Sequence, residues 1–381
     1  MDTPKMALVH EWLEKFGGSE NVVDAIYQST NSDLYCLWDN SKKYPHVTES
    51  WLSKTPLRRH KTLAMPFMPH IWKNMVAKQD YELILSSSHL FAHQARFVNI
   101  AHDVPRLAYV HTPARYVWEP DLDPRGRHPL ARLVSRGLKP MDKNRASELN
   151  GIAANSEFIA QRIRHAWDRE SVVIYPPVNT DYIREGSWRA ELTPSDLEVM
   201  GSLPKDFILG ASRFVQYKRL DQVIHVGNLT KTPVVLAGGG NDFDRLQQCA
   251  REAAVPVVFI KNPSSALLYA LYEACRTYVF PPVEDFGIMP VEAMAAGASI
   301  LVNEIGGAAE SVVHGSCGAH VDFASSESIR TGFDIACSIK SSSPQNRSDH
   351  FSLNNFQKRT RDWLGNYHPG FKSPKDTDVA N

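Results

Sequence analysis

Two glutamates, Glu284 and Glu292, flank a Phe-Gly turn in the stretch PPVEDFGIMPVEAMAAG, directly after the apolar run TYVF. If the helix after the turn begins near Pro290, Glu292 lies in its first turn, where the helix dipole by itself favours a carboxylate. Glu284 has no such explanation, because it precedes the turn. A carboxylate in a strand-to-helix connection can accept hydrogen bonds from sugar hydroxyls. The two glutamates therefore predict a site for a hydroxyl-rich ligand.

The backbone of the same turn adds hydrogen-bond donors for a phosphate. The amides of Phe286, Gly287 and Ile288 lie near the predicted helix N-terminus, where amides and the helix dipole favour an anion. Acceptors that flank amide donors suit a nucleotide-sugar, which has hydroxyls at both ends and a diphosphate between them. We therefore predict that this connection binds such a molecule.

Two cations stand five residues apart in SRFVQYKRLDQVI, where Arg213 and Lys218 fall between a predicted strand and a predicted helix. A guanidinium and an ammonium at this spacing can converge on a diphosphate, although a solvated surface turn has the same composition. The glycines of LAGGGND, with Gly239 at their centre, offer further amides at a strand end. A plain tight turn also accounts for them, since Phe243 breaks the full G-x-G-x-x-G pattern.

These residues follow short apolar runs that alternate with helical patterns, which is typical of βαβ units and parallel sheets. The candidate strands form two sets, MALVH, ELILSSS, RLAYVH, GIAANS and SVVIYPP, then DFILGAS, PVVLAGGG, VPVVFIKN, TYVFPP and ASILVNEIGG. Nearly every unusual polar cluster follows a strand at its carboxyl end, where doubly wound sheets bind ligands. The pattern predicts an α/β fold of two Rossmann-like domains facing across a cleft.

Length and chain breaks define the predicted domains. At 381 residues the chain exceeds one ordinary core and fits two domains. Prolines and a polar stretch interrupt the pattern after SVVIYPP, which places the first domain at 1–184 and the second at 185–345. A helix predicted over 351–367 is expected to rejoin the first domain, and 368–381 has the composition of a flexible tail. The N-terminus lacks the features of a signal peptide, so we expect it to belong to the mature chain.

The amino-acid composition limits the classes of partner that the protein is expected to bind and the cellular compartment in which it is expected to work. The net charge is zero, which gives no global basic field for nucleic acid. Five scattered cysteines without a C-x-x-C pair disfavour a disulfide framework and a structural zinc site, and they fit a cytoplasmic protein. Residues 57–78 mix basic with large apolar side chains. This segment either lies peripherally on the inner face of a membrane or forms an internal helix pair.

In combination the motifs resemble those of retaining glycosyltransferases of family 4, which have the GT-B fold. The E-x7-E signature of that family is matched by Glu284 and Glu292, and its R-x4-K signature by Arg213 and Lys218. Its first-domain histidine is matched by His111 in YVHTPARY, and its glycine loop by GGSE. VHEWL, ANSEFIA and YPPV are most similar to bacterial polysaccharide-assembly members, many of them mannosyltransferases that use GDP-mannose. The chain after about residue 315 matches no sharp motif of the family.

The resemblance implies a role for each side chain at the sugar. Glu284 would hold the transferred sugar, Glu292 the ribose hydroxyls, and His111 would hydrogen-bond the sugar near the reacting carbon. The configuration at that carbon would be retained, with a donor phosphate oxygen accepting the proton of the acceptor. The acceptor would be a glycan or a lipid-linked oligosaccharide of polysaccharide biosynthesis.

The resemblance also implies how the leaving group is stabilised. Arg213 and Lys218 would bind the departing diphosphate, together with amides of the glycine loop at Gly17 and Gly18 and of the turn at Gly287. No metal and no other cofactor is expected, because fixed cations and dipoles supply the charge.

Two other functions stay open on the same fold, since a fold does not establish chemistry. One is a noncatalytic nucleotide-sugar-binding subunit, and the other is a sugar-nucleotide epimerase. A metal-dependent transferase of another fold would need a D-x-D motif. DLD at 121–123 has these letters, but it lies between prolines and not after an apolar strand.

Overall fold

The structure, a computed structural model, describes residues 4–15, 17–119 and 129–371, with the side chains of 129–135 outside this description. The chain forms two compact units. The first runs to Pro177 and resumes at Asn354, and the second is Val178–Leu353. Each unit is built on one parallel sheet. The DLD sequence weighed above lies outside the described residues.

The sheet of the first unit has seven strands in the described part of the chain. They are β1 (Met6–His10), β2 (Ser32–Cys36), β3 (Val47–Glu49), β4 (Leu83–Ser88), β5 (Arg106–Val110), β6 (Gly151–Ala154) and β7 (Val172–Val173). All neighbours are parallel, in the order β3-β2-β1-β4-β5-β6-β7. The strand order reverses between β1 and β4, which are fully buried. In doubly wound sheets the crevice outside the carboxyl ends of such a strand pair binds ligands.

Six described helices of the first unit come before β7 in the chain, and a seventh lies near the chain end. The six are α1 (Gly18–Ser29), α2 (Lys61–Ala64), α3 (Met68–Lys73), α4 (Arg115–Trp118), α5 (Pro129–Ser147) and α6 (Glu157–Trp167). α1 buries Val22, Val23 and Ile26. One core cluster joins Val9 of β1 to Trp72 of α3. This packing fixes the loops at the carboxyl ends of the strands.

The second unit has six parallel strands. They are β8 (Ile208–Ala211), β9 (Val234–Gly238), β10 (Val257–Lys261), β11 (Thr277–Phe280), β12 (Ile300–Asn303) and β13 (Gly318–Val321). Their order is β10-β9-β8-β11-β12-β13, so that the order reverses between β8 and β11. β8, β11 and β12 are buried throughout, as expected for strands covered by helices on both faces.

The helices of the second unit supply its two outer layers. They are α7 (Thr180–Glu185), α8 (Pro194–Ser202), α9 (Leu220–Thr230), α10 (Phe243–Arg251), α11 (Ser265–Ala274), α12 (Ile288–Ala295), α13 (Gly307–Ser311), α14 (Ser326–Ser338) and α15 (Ser342–Ser348). The core joins Phe214, Val223, Leu236 and Leu301. α9 and α12 begin close after β8 and β11, so the motif residues lie in two neighbouring connections.

All ten predicted strands are confirmed, and three strands were not predicted. β3 has only three residues, all partly exposed, and carries no apolar run. β2 begins with polar Ser32 and Asp33, and β13 contains a glycine and a histidine. Short strands without a continuous apolar run give only a weak hydrophobic pattern, which is why these three were not predicted.

The unit boundaries differ from the predicted ones by several residues. The predicted break at 184 falls inside α7, because the amide of Val178 already donates to the carbonyl of Phe351 within the second unit. The predicted break at 345 falls inside α15, where Arg347 donates to the carbonyls of Glu310 and Ser311. These contacts join residues that are far apart in the sequence, so the local composition on which the predicted boundaries were based did not indicate them.

The final helix, α16 (Leu353–Gly365), packs in the first unit. Phe356 is buried with its ring 5.9 Å from that of Tyr109, and Gln357 donates to the carbonyl of Ala25. The predicted flexible tail begins too early, because Phe371 is buried. Residues 372–381 lie outside the description.

Candidate functional site

The E-x7-E and R-x4-K motifs meet in the second unit through one ion pair. Lys218 Nζ lies 2.7 Å from Glu284 Oε1, and the two side chains are only 10% and 19% exposed. Lys218 ends a 3-10 turn after β8, and Glu284 follows β11, the next strand in the sheet. The switch point of the sheet therefore brings together two residues that are 66 positions apart in the chain.

Arg213 lies in the same connection as Lys218 but does not contact Glu284 in the described structure. Its guanidinium donates to the hydroxyl of exposed Tyr217 at 2.7 Å. The Lys218 ammonium lies 5.2 Å from the centre of the Tyr217 ring. The two predicted cations thus share one aromatic neighbour that sequence reasoning did not single out.

The turn after Glu284 has the geometry of an anion-binding helix start. Gly287 has φ 92° at the N-cap of α12 and no side chain caps the helix. Among the described residues no acceptor pairs with the amides of Gly287 and Ile288. The ring of Phe286 is buried, 5.5 Å from that of Phe351, so its side chain is not exposed to a ligand. These free amides suit a phosphate.

Glu292 does not lie where the sequence placed it. α12 begins at Ile288, two residues before Pro290, so that Glu292 falls in the second turn of the helix. The helix dipole is weak there and does not account for a carboxylate. Burial raises the pKa of Glu292 to about 7. The backbone carbonyl of Glu292 accepts from the amide of Ala296, but no hydrogen bond or ion pair to its carboxylate is present among the described residues, which leaves the carboxylate for a ligand.

The glycine run after β9 is required by the backbone beside it. Gly238 and Gly240 have φ 144° and 150°. A Cβ atom on Gly240 would lie 2.3 Å from the carbonyl oxygen of Phe214. Gly239 accepts a hydrogen bond from the amide of Phe214 at 2.8 Å, and its Cβ would lie 2.0 Å from Asn262 Oδ1. The glycine run therefore fixes the backbone of the connection that carries Arg213. This role does not depend on a contact between the glycines and a ligand.

In the first unit the glycine loop forms the start of α1. Gly17 is the N-cap residue and Gly18 the first helical residue, and no side chain caps this end. A Cβ on Gly17 would lie 2.0 Å from the nearer carboxylate oxygen of Glu20. Glu20 accepts hydrogen bonds from Ser19 and from the amide of Glu14. Glu20 thus holds the loop, and the uncapped helix end can bind an anion.

His111 follows β5, and its ring is held by a neighbouring strand. Its Nε2 lies 2.8 Å from the hydroxyl of Ser87, and its amide donates to the carbonyl of Ser88. Burial, together with nearby His10 and His89, holds the pKa of His111 well below its usual range. The imidazole is therefore neutral near pH 7 and can hydrogen-bond a sugar hydroxyl through Nδ1.

Two histidines and a glutamate beside His111 were not predicted. Polar atoms of His10, Glu11 and His89 lie within 4.8 Å of one another, the only such group in the described residues that could hold a metal ion. Glu11 accepts hydrogen bonds from the amides of His89, Leu90 and Ala92. Burial opposes ionisation of Glu11, but the histidines and these amides lower its pKa to about 2. The HE and SSSH sequences end β1 and β4, and their adjacency in the sheet was the available signal.

The segment 57–78 divides its side chains between core and surface. Met68, Ile71 and Trp72 are buried, whereas Leu63 is 61% and Phe67 43% exposed. The buried side chains show that part of the segment packs internally, and contact of its exposed side chains with a membrane stays a prediction. None of the described helices is long and apolar enough to cross a membrane.

Two family models match the chain, one in each unit. Residues 17–182 match Glycosyltransferase Family 4, and residues 201–348 match Glycosyl transferases group 1. Together they include most of the chain and every predicted site residue. The predicted family therefore agrees with both matches.

Two relatives support the same family. A GDP-mannose-dependent alpha-(1-6)-phosphatidylinositol monomannoside mannosyltransferase of Mycolicibacterium smegmatis is 28% identical over 253 residues, which are 61% of this chain and 63% of that protein. An uncharacterized glycosyltransferase of Methanocaldococcus jannaschii is 31% identical over 137 residues, which are 33% of this chain and 35% of that protein. The chain thus spans less than two thirds of the length of either relative.

The fold is similar to that of HepE of Anabaena, solved in complex with UDP. The similarity has a TM-score of 0.66 at 18% identity and covers 95% of this chain and 100% of that chain. The two Rossmann-like sheets are those of the GT-B fold, as predicted. With both family models and these relatives in agreement, the chain belongs to the family 4 glycosyltransferases.

Proposed function

We propose that this chain is a retaining, metal-independent hexosyltransferase that moves mannose from GDP-mannose to a glycan or lipid-linked oligosaccharide in polysaccharide biosynthesis. The observation that carries the proposal is the ion pair of Lys218 and Glu284. It unites the cation of one motif with the sugar-binding carboxylate of the other at the ligand-binding edge of the sheet. Retention of configuration is supported by the family to which the motifs belong.

In the proposed mechanism the departing diphosphate is stabilised by fixed charges. Arg213 and Lys218 bind its oxygens, and the free amides at Gly287 and Ile288 add hydrogen bonds. When a donor binds, Lys218 turns from Glu284 to phosphate, which frees the carboxylate to accept hydrogen bonds from the transferred sugar. Such preorganised donors are each worth about 3 kcal/mol in the transition state. No metal is assigned a role in this scheme.

The remaining contacts orient the two ends of the donor. Glu292 accepts hydrogen bonds from the ribose hydroxyls, and neutral His111 hydrogen-bonds the transferred sugar. A phosphate oxygen of the donor accepts the proton of the attacking hydroxyl, and no side chain of the motifs acts as a base. Gly17, Gly18 and Gly239 are proposed to contribute backbone contacts to the donor.

The donor assignment rests on the mannosyltransferase relative, whose name specifies GDP-mannose. HepE, with a similar fold, binds UDP, so the nucleobase needs a direct test. We place the reaction in the cytoplasm, peripherally at the inner face of the membrane, because the segment 57–78 exposes apolar side chains among basic ones.

The test is a donor panel of GDP-mannose, UDP-glucose, UDP-N-acetylglucosamine and UDP-galactose, with and without EDTA and a bacterial lipid extract. We expect release of nucleotide diphosphate from GDP-mannose alone, unchanged by EDTA. Glu284→Ala and Lys218→Ala should each lower it about a hundredfold or more. NMR of the product should show the anomeric configuration of the donor.

Other outcomes select the alternatives. Donor binding without release of any diphosphate, even with lipid extract, would favour the noncatalytic subunit. Conversion of the donor into an isomeric nucleotide-sugar would favour the epimerase. Loss of activity in EDTA that added Mg²⁺ restores would overturn metal independence.

A further inference from the structure

The first unit contains a basic pocket that is lined by none of the proposed donor-binding residues. It has a volume of about 550 Å³ and is lined by Glu14, Asn40, Arg58, Arg59 and Lys61. Three of these side chains are cations and one is an anion, so the pocket has an excess of positive charge. The cations come from one short stretch, the 3-10 turn at 56–59 and the start of α2.

Two of the cations are held in place by the protein. Arg58 Nη2 donates to Asn40 Oδ1 at 2.6 Å. Lys61 Nζ donates to Glu14 Oε1 at 2.9 Å and lies 4.4 Å from the ring centre of Trp12. Arg59 is exposed and has no hydrogen-bond or ion-pair partner among the described residues. A guanidinium with spare donors beside a fixed ammonium suits a phosphate.

The pocket adjoins the glycine loop of the first unit. The amide of Glu14, which lines the pocket, donates to Glu20, whose carboxylate lies close to Gly17. Trp12 packs edge-on to His89, with ring centres 4.8 Å apart. A ligand in the pocket would therefore lie beside the ligand-binding edge of the first sheet.

Large apolar side chains are exposed on the same stretch as the cations. Trp51 is 49%, Leu63 61% and Phe67 43% exposed, and the Trp51 and Phe67 rings lie 5.9 Å apart. Trp51 begins the turn that precedes Arg58, and Leu63 follows Lys61 by two residues. Exposed aromatic groups rimmed by basic residues favour a ligand with both an anionic group and an apolar chain.

We propose that this pocket binds the phosphate group of a lipid-linked acceptor, with Trp51, Leu63 and Phe67 contacting the apolar chain. The inference rests on the proposed function, because it names the class of acceptor for that reaction. A soluble phosphorylated glycan also carries a phosphate, but it has no apolar chain that would contact the exposed apolar side chains.

Sedimentation with lipid vesicles tests the proposal on the full chain. The vesicles are phosphatidylcholine alone, phosphatidylcholine with phosphatidic acid, and phosphatidylcholine with phosphatidylserine at equal charge. We expect binding to be strongest with phosphatidic acid, which presents a terminal phosphate. Arg58→Gln/Arg59→Gln should weaken it about thirtyfold, or about fivefold for each charge removed. Leu63→Ser/Phe67→Ser should weaken it as well.

Charge-matched variants show whether vesicle binding depends on this pocket or only on the overall positive charge of the surface. Lys358→Gln/Arg361→Gln removes the same charge from exposed positions on α16 outside the pocket, and it should leave vesicle binding unchanged. Arg59→Glu reverses the charge of a side chain that has no hydrogen-bond or ion-pair partner among the described residues, so that it gives a result even if loss of Arg58 disturbs folding. Equal weakening by the α16 variant, or equal binding to phosphatidylserine, would overturn the proposal.

Soluble probes distinguish the lipid from a free phosphate and this site from the donor site. Inorganic pyrophosphate is titrated into the chain with saturating GDP present. Binding as tight as that of phosphatidic acid vesicles, and unaffected by Leu63→Ser/Phe67→Ser, would overturn the lipid assignment. Failure of GDP itself to bind would count against the proposed function, whereas GDP binding with no effect of Arg59→Glu on vesicle binding would count against this pocket alone.

Discussion

Glu284 pairs with a cation, whereas Glu292 has no ion-pair partner in the part of the chain that the structure describes, and this gives a prediction at the scale of one residue. Its folded-state pKa of about 7 exceeds the usual 4.5, so the chain loses stability as the pH rises from about 4.5 to 7. Glu292→Gln should raise the free energy of unfolding by about 1 to 3 kcal/mol at pH 8 and by little at pH 5. Urea unfolding at both pH values measures this.

The same substitution should weaken GDP binding, because a carboxylate accepts from ribose hydroxyls more strongly than an amide does. For the unsubstituted chain GDP affinity should rise several-fold from pH 6 to pH 8, as Glu292 ionises. The exposed Glu304→Gln serves as the control and should change neither stability nor affinity at either pH. A destabilisation by Glu292→Gln that is equal at pH 5 and pH 8 would contradict the buried-carboxylate account.

The ion pair of Lys218 and Glu284 and the bond from Ser87 to His111 could not be predicted in detail from the sequence. The motif spacing indicated which residues matter and that they follow strands. It did not indicate which side chains touch, because β8 and β11 become neighbours only in the folded sheet. The Glu11 cluster was missed for the same reason, since its donors come from the end of β4.

At the scale of elements, the connections after β8 and β9 pack backbone against backbone. Gly240→Ala would place a methyl group near the Phe214 carbonyl at a φ of 150°, a conformation that L side chains rarely adopt. We expect a loss of about 2 to 4 kcal/mol in the free energy of unfolding. Gly201→Ala is the matched control, because its Cβ in α8 would meet nothing within 4 Å. It should stabilise by about 0.5 to 1 kcal/mol, since Gly is a poor helix former. Urea unfolding that ranks the two variants in the reverse order would contradict this account.

At the same scale, the predicted start of α12 was wrong by two residues, and the error has a physical cause. Pro290 favours the first turn, which made it a reasonable first helical residue. The helix begins two residues earlier, because Gly287 at positive φ already turns the chain and Pro290 remains within the first turn. Because of this two-residue shift, the helix dipole no longer accounts for Glu292, a half-buried carboxylate that we propose binds the donor.

For the whole molecule, two compact units with separate cores predict two unfolding transitions in calorimetry. Phe356→Ala should lower the free energy of unfolding of the first unit by about 3 kcal/mol, because the ring is buried on Tyr109 although it lies near the end of the chain.

GDP at a hundredfold excess over its Kd should raise the free energy of unfolding of the second unit by about 2.7 kcal/mol, because it binds only the folded state.

The control for this experiment is Leu197→Ala, at an exposed position of the second unit. It should leave both transitions in place. A single transition that Phe356→Ala and GDP shift together would show that the units do not unfold separately.

The sequence by itself determined the alternation of strands and helices, the two parallel sheets and the strand ends at which the motifs lie. These follow from local periodicity and from residue types that recur at fixed spacing. Tertiary structure decided that Lys218 pairs with Glu284, that the Glu292 carboxylate is half-buried with no partner among the described residues, that α15 belongs to the second unit and that the cations near Trp12 line a pocket. These features depend on contacts between distant parts of the chain, whose burial and distances no local pattern specifies.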